Sequence, residues 1–469
     1  MRNSSINRAG ACAMALALVA SALPAQEIST NSVKEQFEAR TRSVVAVEYF
    51  VQQETERNDG LAYGLLIDEQ GTVALLEGSV PGNEPVERLR EFRVFPLGKD
   101  TDGYPADYLG QDYLTGKHYV RLRNPEAASD LTPITAWEQR VPQMGDTLWG
   151  ISANDRDWDF LPFRTTGVVT AVVTLPRPMA VTNHELGRSG AAAFHTDGAF
   201  AGWILPPVQK GRRMIINNRN LRVTLINQSQ STAVRPASSF FRFLDRVPEN
   251  PSGDPRPWAG TVGLQALDRE TAEFLDLRSQ GAVIVSDIIE GSPADEADLQ
   301  SRDIIVELNG EPLPRLVPLR FVTPAFIFEV GQNEPGETVE LTIIRGQERL
   351  TRELTLAEFP MDVREAPYQY YEDLGLTIRR FLVGDAVDRR VLKKDVNGAV
   401  VSFVDLNGPA HSGELRQGDW IKEIDGEQIE TYEQAVEALD AIVADEDREE
   451  AVLLVERDNE TKLVRIQLD

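Results

Sequence analysis

From about residue 27 to 245 the chain alternates short apolar runs of β type with turns, at 43–50, 62–67, 72–76 and 167–173. Many short strands at close spacing, with Gly and Pro between them, predict a β-barrel or sandwich. Ahead of them Val33, Phe37 and Val44 stand among charges and predict one helix over 33–42, which caps the barrel or meets a partner subunit. Residues 246–257 carry four prolines in twelve positions, a composition that sustains neither ladder nor helix and predicts a stiff spacer.

Beyond the spacer the chain repeats itself. Gly281-Ala282-Val283-Ile284-Val285, Gly291-Ser292-Pro293-Ala294 and the strand ending Asn309-Gly310 recur as Gly398-Ala399-Val400-Val401-Ser402, Asn407-Gly408-Pro409-Ala410 and the strand ending Asp425-Gly426. The spacing, about 116 residues, makes the C-terminal half a tandem of two similar domains, 258–360 and 366–469. In the second, Thr431 is the expected N-cap of a helix with Gln434 three residues on. Tyr432, Ala435, Val436 and Leu439 then share one face. In the first, a helix starting at Thr323-Pro324 brings Phe326 and Phe328 next to any groove.

Residues 1–25 differ from the rest. Arg2 and Arg8 precede an apolar run from Ala11 to Ala20 and small residues up to Ala25, the pattern of a secretory signal peptide. The run is too short to cross a bilayer, so no stable membrane span is expected, and the mature chain is read as periplasmic or extracellular. Cys12, the single cysteine, lies inside this segment, which removes disulfides and thiolate chemistry from the mature protein. The formal charge of −26 repels phosphate backbones and excludes nucleic acid as a natural partner. It reads first as a solvated acidic surface.

One segment carries candidate chemistry. Gly187-Arg188-Ser189-Gly190-Ala191-Ala192 has the shape of a serine nucleophile loop, and a serine hydroxyl needs a neighbouring base to be a fast nucleophile. The four histidines are His118, His184, His195 and His411; their spacing matches no metal-ligand pattern, and no metal or other cofactor is expected.

Taken with Gly64 to Gly71, Met144 to Gly150 and Thr166 to Val169, this loop resembles that of a trypsin-like double β-barrel, and the repeats resemble bacterial PDZ domains. A barrel domain at 27–245, a linker at 246–257 and two α+β PDZ domains together resemble the HtrA family of exported serine proteases. The fold the resemblance implies is mainly β. Carried over residue by residue, Ser189 is the nucleophile, and the backbone N–H groups of Gly187 and Ser189 would form an oxyanion hole. The base position falls on Gly78, in Ala74-Leu75-Leu76-Glu77-Gly78-Ser79-Val80, and the aspartate position on His118, or on Lys117 with a one-residue slip. The resemblance thus implies a pseudoprotease; an endopeptidase using Ser189 with a non-standard base is the alternative.

A PDZ domain adds an extended chain end to a sheet edge and holds its carboxylate on loop N–H groups. In the second domain the resemblance places this groove at Leu374, Gly375, Leu376, Thr377 and Ile378, facing Tyr432 and Val436. In the first it places it at Gly260, Val262, Gly263 and Leu264, with the second domain expected to be the better receptor. The expected partners are unfolded or C-terminal polypeptide segments. HtrA relatives commonly trimerise, which implies a homo-oligomer.

Overall fold

The computed structural model describes residues 30–134, 140–173, 178–205, 215–216, 219–220, 231–393 and 396–468. The expected signal peptide lies outside them. After a helix at Thr30–Thr41, six strands close the first barrel: Val44–Gln52, Arg57–Leu66, Thr72–Leu75, Leu89–Pro96, Tyr104–Gln111 and His118–Leu122. Six more close the second: Thr147–Ala153, Pro162–Val173, Met179–Thr182, Ala192–His195, Phe200–Ile204 and Thr232–Pro236.

Strand Val44–Gln52 shows why its sequence is apolar throughout instead of alternating. Successive side chains of a strand point to opposite faces, and here both faces are covered. Val45, Val47 and Val51 fill the first barrel with Val73, Leu75, Val94 and Val120. Val44 and Ala46 turn outward into a second core shared between the barrels, with Tyr63, Phe95, Trp149, Phe194 and Trp203. Trp149 stacks on Phe194 with ring centres 4.8 Å apart, and Phe200 meets Trp203 edge-on at 5.5 Å. The helix Thr30–Thr41 caps this assembly. Phe37 packs on the shared core, and Arg40 Nε donates to the Gly198 carbonyl at 2.6 Å.

The proline-rich segment is not a free spacer. Arg246 pairs with buried Asp112 at 3.1 Å, and a Cβ on Gly110 would lie 2.5 Å from the Asn250 carbonyl, so the segment runs along strand Tyr104–Gln111. Glycine at 110 makes that close approach feasible.

The two repeats share one frame. In the first, the strand segments Thr261–Val262 and Gln265–Ala266 pair with Asp287–Ile288 and Val283–Ile284. In the second, Leu376–Arg380 pairs with Ala399–Val404 in the corresponding way. Each repeat buries an aspartate under a bidentate arginine: Asp303 with Arg345 (2.8 and 2.8 Å) and Asp419 with Arg457 (2.6 and 2.6 Å). Each aspartate also accepts a backbone N–H, from Gln300 and Arg416. The helix of the second repeat, Tyr432–Ala444, begins at Thr431 with the expected reciprocal bonds to Gln434. That of the first, Val322–Val330, starts one residue before Thr323 because a 3-10 turn, Leu319–Phe321, leads into it. Pro324 is still within the first turn, where a missing N–H costs nothing.

Both repeats dock on the barrels. Tyr113 OH donates to the Gly331 carbonyl at 3.0 Å, Phe243 meets Phe328 edge-on at 5.9 Å, and Thr377 Oγ1 donates to Glu54 at 2.6 Å. Arg457→Met leaves the Asp419 carboxylate buried without its partner. It should destabilise the second repeat by about 3–5 kcal/mol, read as a lowered midpoint in urea unfolding.

Candidate functional site

Ser189 sits exposed on the loop that precedes strand Ala192–His195, and its hydroxyl makes no hydrogen bond to a described residue. The loop is held from below: Arg188 N–H donates to Ser152 Oγ at 3.0 Å, Gly190 N–H to Ile204 O at 2.8 Å and Ala191 N–H to Arg188 O at 3.1 Å. The N–H groups of Gly187 and Ser189 have no acceptor among the described residues. These are the two N–H groups expected as oxyanion-hole donors.

The turn 76–79 of the first barrel lies across from this loop. A Cβ on Gly190 would be 3.7 Å from Ser79 Oγ and 3.8 Å from the Leu76 side chain. Gly78 adopts φ +77°, and a Cβ there would meet nothing within 4 Å. So the position carried over as the base faces open space and holds no side chain. Beside it Glu77 pairs with Arg235 of the second barrel at 3.3 Å, bridging the two barrels.

His118, carried over as the aspartate position, is fully buried at the head of its strand, opposite Leu75. Its Nδ1 is 2.8 Å from Tyr108 OH, in line with a stack of Tyr49, Phe92 and Tyr108. Burial, and then the nearby Arg364 guanidinium, lower its pKa from 6.5 to about 3. It is a neutral imidazole, and cannot stabilise an imidazolium as a carboxylate does. Its neighbour Lys117 is also buried, with Nζ 4.1 Å from the centre of the Phe240 ring. His184 is exposed on the chain before Ser189. His195 is buried in its strand, where its carbonyl accepts from Trp149 Nε1 at 2.7 Å.

The first repeat contains a cavity of about 510 Å³ between its loop and its helix. It is lined by Gly260, Thr261 and Leu264 of the loop, by Phe326, Ile327 and Phe328 of the helix, and by Tyr113 and Leu114 of the barrel. Gly260 N–H has no acceptor among the described residues, and Arg256 brings a cation to the rim, paired with Asp362 at 2.9 Å. Of the residues predicted here, Gly260 and Leu264 line the cavity and Val262 and Gly263 do not. Val262 pairs with Asp287, and the Gly263 carbonyl accepts from Ser286 Oγ. Tyr113 and Leu114 carried no sequence signal, since they come from a barrel turn more than 140 positions away.

In the second repeat the residues expected to form the groove are covered. Leu374, Leu376, Thr377 and Ile378 are fully buried, Tyr432 nearly so, and the free edge of Leu376–Arg380 is already paired. A short strand, Tyr368–Tyr371, lies antiparallel to it, with Tyr371 opposite Leu376 and Tyr368 opposite Arg379. Tyr371 OH donates to the carbonyl of Val436 at 3.3 Å, so this strand fills the space between sheet and helix. Gly375 is required for a reason other than ligand access: its φ is +66°, and a Cβ would lie 2.9 Å from Gly408 Cα. A readable signal for the covering strand did exist, since Tyr368, Tyr370 and Tyr371 stand just before the Glu372-Asp373-Leu374-Gly375 turn.

The PDZ domain family profile matches residues 284–345. A "probable periplasmic serine endoprotease DegP-like" of Halomonas elongata is 26% identical over 420 residues, covering 84% of this chain and 76% of that one. One of the same name from Ectopseudomonas mendocina is 28% identical over 179 residues, 38% of this chain and 36% of its own length. The chain thus spans little more than a third of the length of several relatives it matches. Among solved structures, "HtrA-type protease AlgW with decapeptide" superposes with a TM-score of 0.51 over 70% of this chain and 99% of that one, at 15% identity. Sequence and fold together support an HtrA-like family with a PDZ domain.

Because the folded chain holds His118 neutral, the stability this contributes is complete above pH 6.5 and is lost as pH falls toward 3. The His118 ring resonances should not titrate between pH 8 and 5. His118→Gln should flatten the loss of thermal stability between pH 6.5 and 4.

Proposed function

We propose that this HtrA-like chain is an exported polypeptide-binding protein whose barrels no longer cut peptide bonds and whose first PDZ domain holds chain ends or extended segments. The observation that carries the reading is Gly78. It sits beside the Ser189 loop with no side chain to take a proton, and the neighbouring triad position holds a neutral, buried histidine. Without a base, a serine and its oxyanion donors retain only a residual part of triad catalysis, about 10³–10⁴-fold over water.

Binding, by contrast, has what it needs. Among the described residues the first repeat offers an apolar cavity, a sheet edge at Gln265–Ala266 with no strand on its outer side, a loop N–H at Gly260 without an acceptor, and Arg256, paired with Asp362. Strand addition at such an edge supplies backbone hydrogen bonds, and the cavity takes the side chains. The signal peptide read in residues 1–25 supports a role in the periplasm or outside the cell, in quality control of envelope proteins, as scaffold, chaperone or regulator. Among the described residues no helix is long and apolar enough to cross a membrane.

A second reading is an endopeptidase that uses Ser189 with a non-standard base, favoured by the exposed Ser189 hydroxyl and the free N–H groups at 187 and 189. Purified protein incubated with unfolded casein and with a fluorophosphonate probe separates the two. We expect neither cleavage nor labelling above that of Ser189→Ala; Ser189-dependent turnover would establish the second reading instead.

Binding is tested with a fluorescein-labelled decapeptide ending in three leucines and its C-terminal amide. The free acid should bind more tightly than the amide. Ile327→Asp, at an exposed cavity position, should weaken binding at least about ten-fold, by burying a charge in the groove, with little change in melting temperature.

A further inference from the structure

We propose that Tyr368–Tyr371 is a tethered ligand: it occupies the strand-addition site of the second repeat in the place and polarity of a bound chain end, and the first barrel locks it there. The inference concerns the second repeat alone and stands independently of the reading above.

Comparison of the repeats carries it. Their loops are equivalent residue by residue, since Ala294 N–H donates to Ala259 O and Ala410 N–H to Leu374 O, each at 2.9 Å. Likewise Ile289 N–H donates to Gly260 O at 3.0 Å and Asp405 N–H to Gly375 O at 2.8 Å. What precedes each loop differs. In the first repeat Pro257–Trp258 turns away to pair with Ala357–Glu358, and the edge beyond Gly260 borders the cavity. In the second the corresponding chain folds back along Leu376–Arg380.

The covering strand reproduces the features a ligand would have. It runs antiparallel to the accepting strand and ends at the loop. Its last side chain, Tyr371, is buried between sheet and helix, as a terminal residue would be. The Glu372 carbonyl accepts from Gly375 N–H at 3.0 Å, so an oxygen of the chain itself takes the donor whose counterpart at Gly260 has no acceptor among the described residues.

The barrel holds both strands of this hairpin from outside. Glu54, almost entirely buried on the turn after strand Val44–Gln52, accepts from Thr377 Oγ1 at 2.6 Å and from Arg88. Arg88 in turn lies 4.8 Å above the centre of the Tyr368 ring. Opening the groove therefore means breaking the cation–π contact to Tyr368 as well as the ladder, while the bond from Thr377 to Glu54 fixes the accepting strand on the barrel.

The probe is a fluorescein-labelled peptide of residues 366–371 (Ala-Pro-Tyr-Gln-Tyr-Tyr) with a free carboxylate, added to the full mature protein and read by hydrogen exchange. In the wild type the amides of Leu376–Arg380 should be protected without peptide, and peptide should change nothing there or in Tyr432–Ala444. Tyr371→Ala should lose that protection and regain it on adding peptide. Raising the open fraction from about one in a hundred to one half tightens apparent binding about fifty-fold. Exchange changes at Val322–Val330 report the first repeat and are scored apart. Unprotected Leu376–Arg380 amides in the wild type, or equal binding at the second repeat by wild type and variant, would overturn the proposal. Should Tyr371→Ala unfold the repeat, Tyr368→Leu decides. It keeps an apolar side chain in the strand and removes the ring under Arg88. Exchange of Gln369–Tyr371 should then rise about three-fold, and an unchanged rate rejects the lock.

Discussion

Every strand edge in this molecule has to answer the same demand, that backbone N–H and C=O groups removed from water find partners. The two barrels meet it by closure, and the strand that opens each one also completes it. The repeats cannot close. Each ends its sheet at the strand after the glycine loop, and the two resolve that edge in opposite ways, one with residues of its own chain and one with an apolar cavity. Most of what separates the two modules structurally follows from this difference.

Much of the architecture was legible in the sequence because it rests on local rules. Strand Val44–Gln52 announced itself as an unbroken apolar run, and the two cores on its faces explain why it does not alternate. The capping box at Thr431 and Gln434 and the recurring Gly-Ser-Pro-Ala and Gly-Pro-Ala turns marked the repeats equally well. What could not be read depends on distant neighbours. Nothing in Leu374 to Ile378 says that the strand Tyr368–Tyr371 just upstream already pairs with them. Likewise Tyr113 and Leu114 reach the first cavity only because the proline-rich segment runs along the barrel and brings the repeat back against it.

The catalytic remnant is instructive for the same reason. Ser189 and its loop keep their shape through contacts with Ser152 and Ile204 that serve the barrel's packing, and these persist whether or not chemistry occurs. At the two positions across from it, a Cβ on Gly78 would meet only open space, and His118 is a packing position bonded to Tyr108 beside an aromatic stack.

The hairpin turn between Tyr371 and Leu376 is four residues long, and that length has a consequence in concentration. A strand held by so short a tether faces its site at an effective concentration of millimolar order or above. A free peptide of micromolar affinity at micromolar abundance is outcompeted about a thousand-fold, whatever its sequence. Only a strand that is itself delivered locally competes on equal terms, such as a further stretch of a polypeptide already seated at the neighbouring cavity. A tethered ligand of this kind makes the second repeat ignore short fragments and respond to long chains.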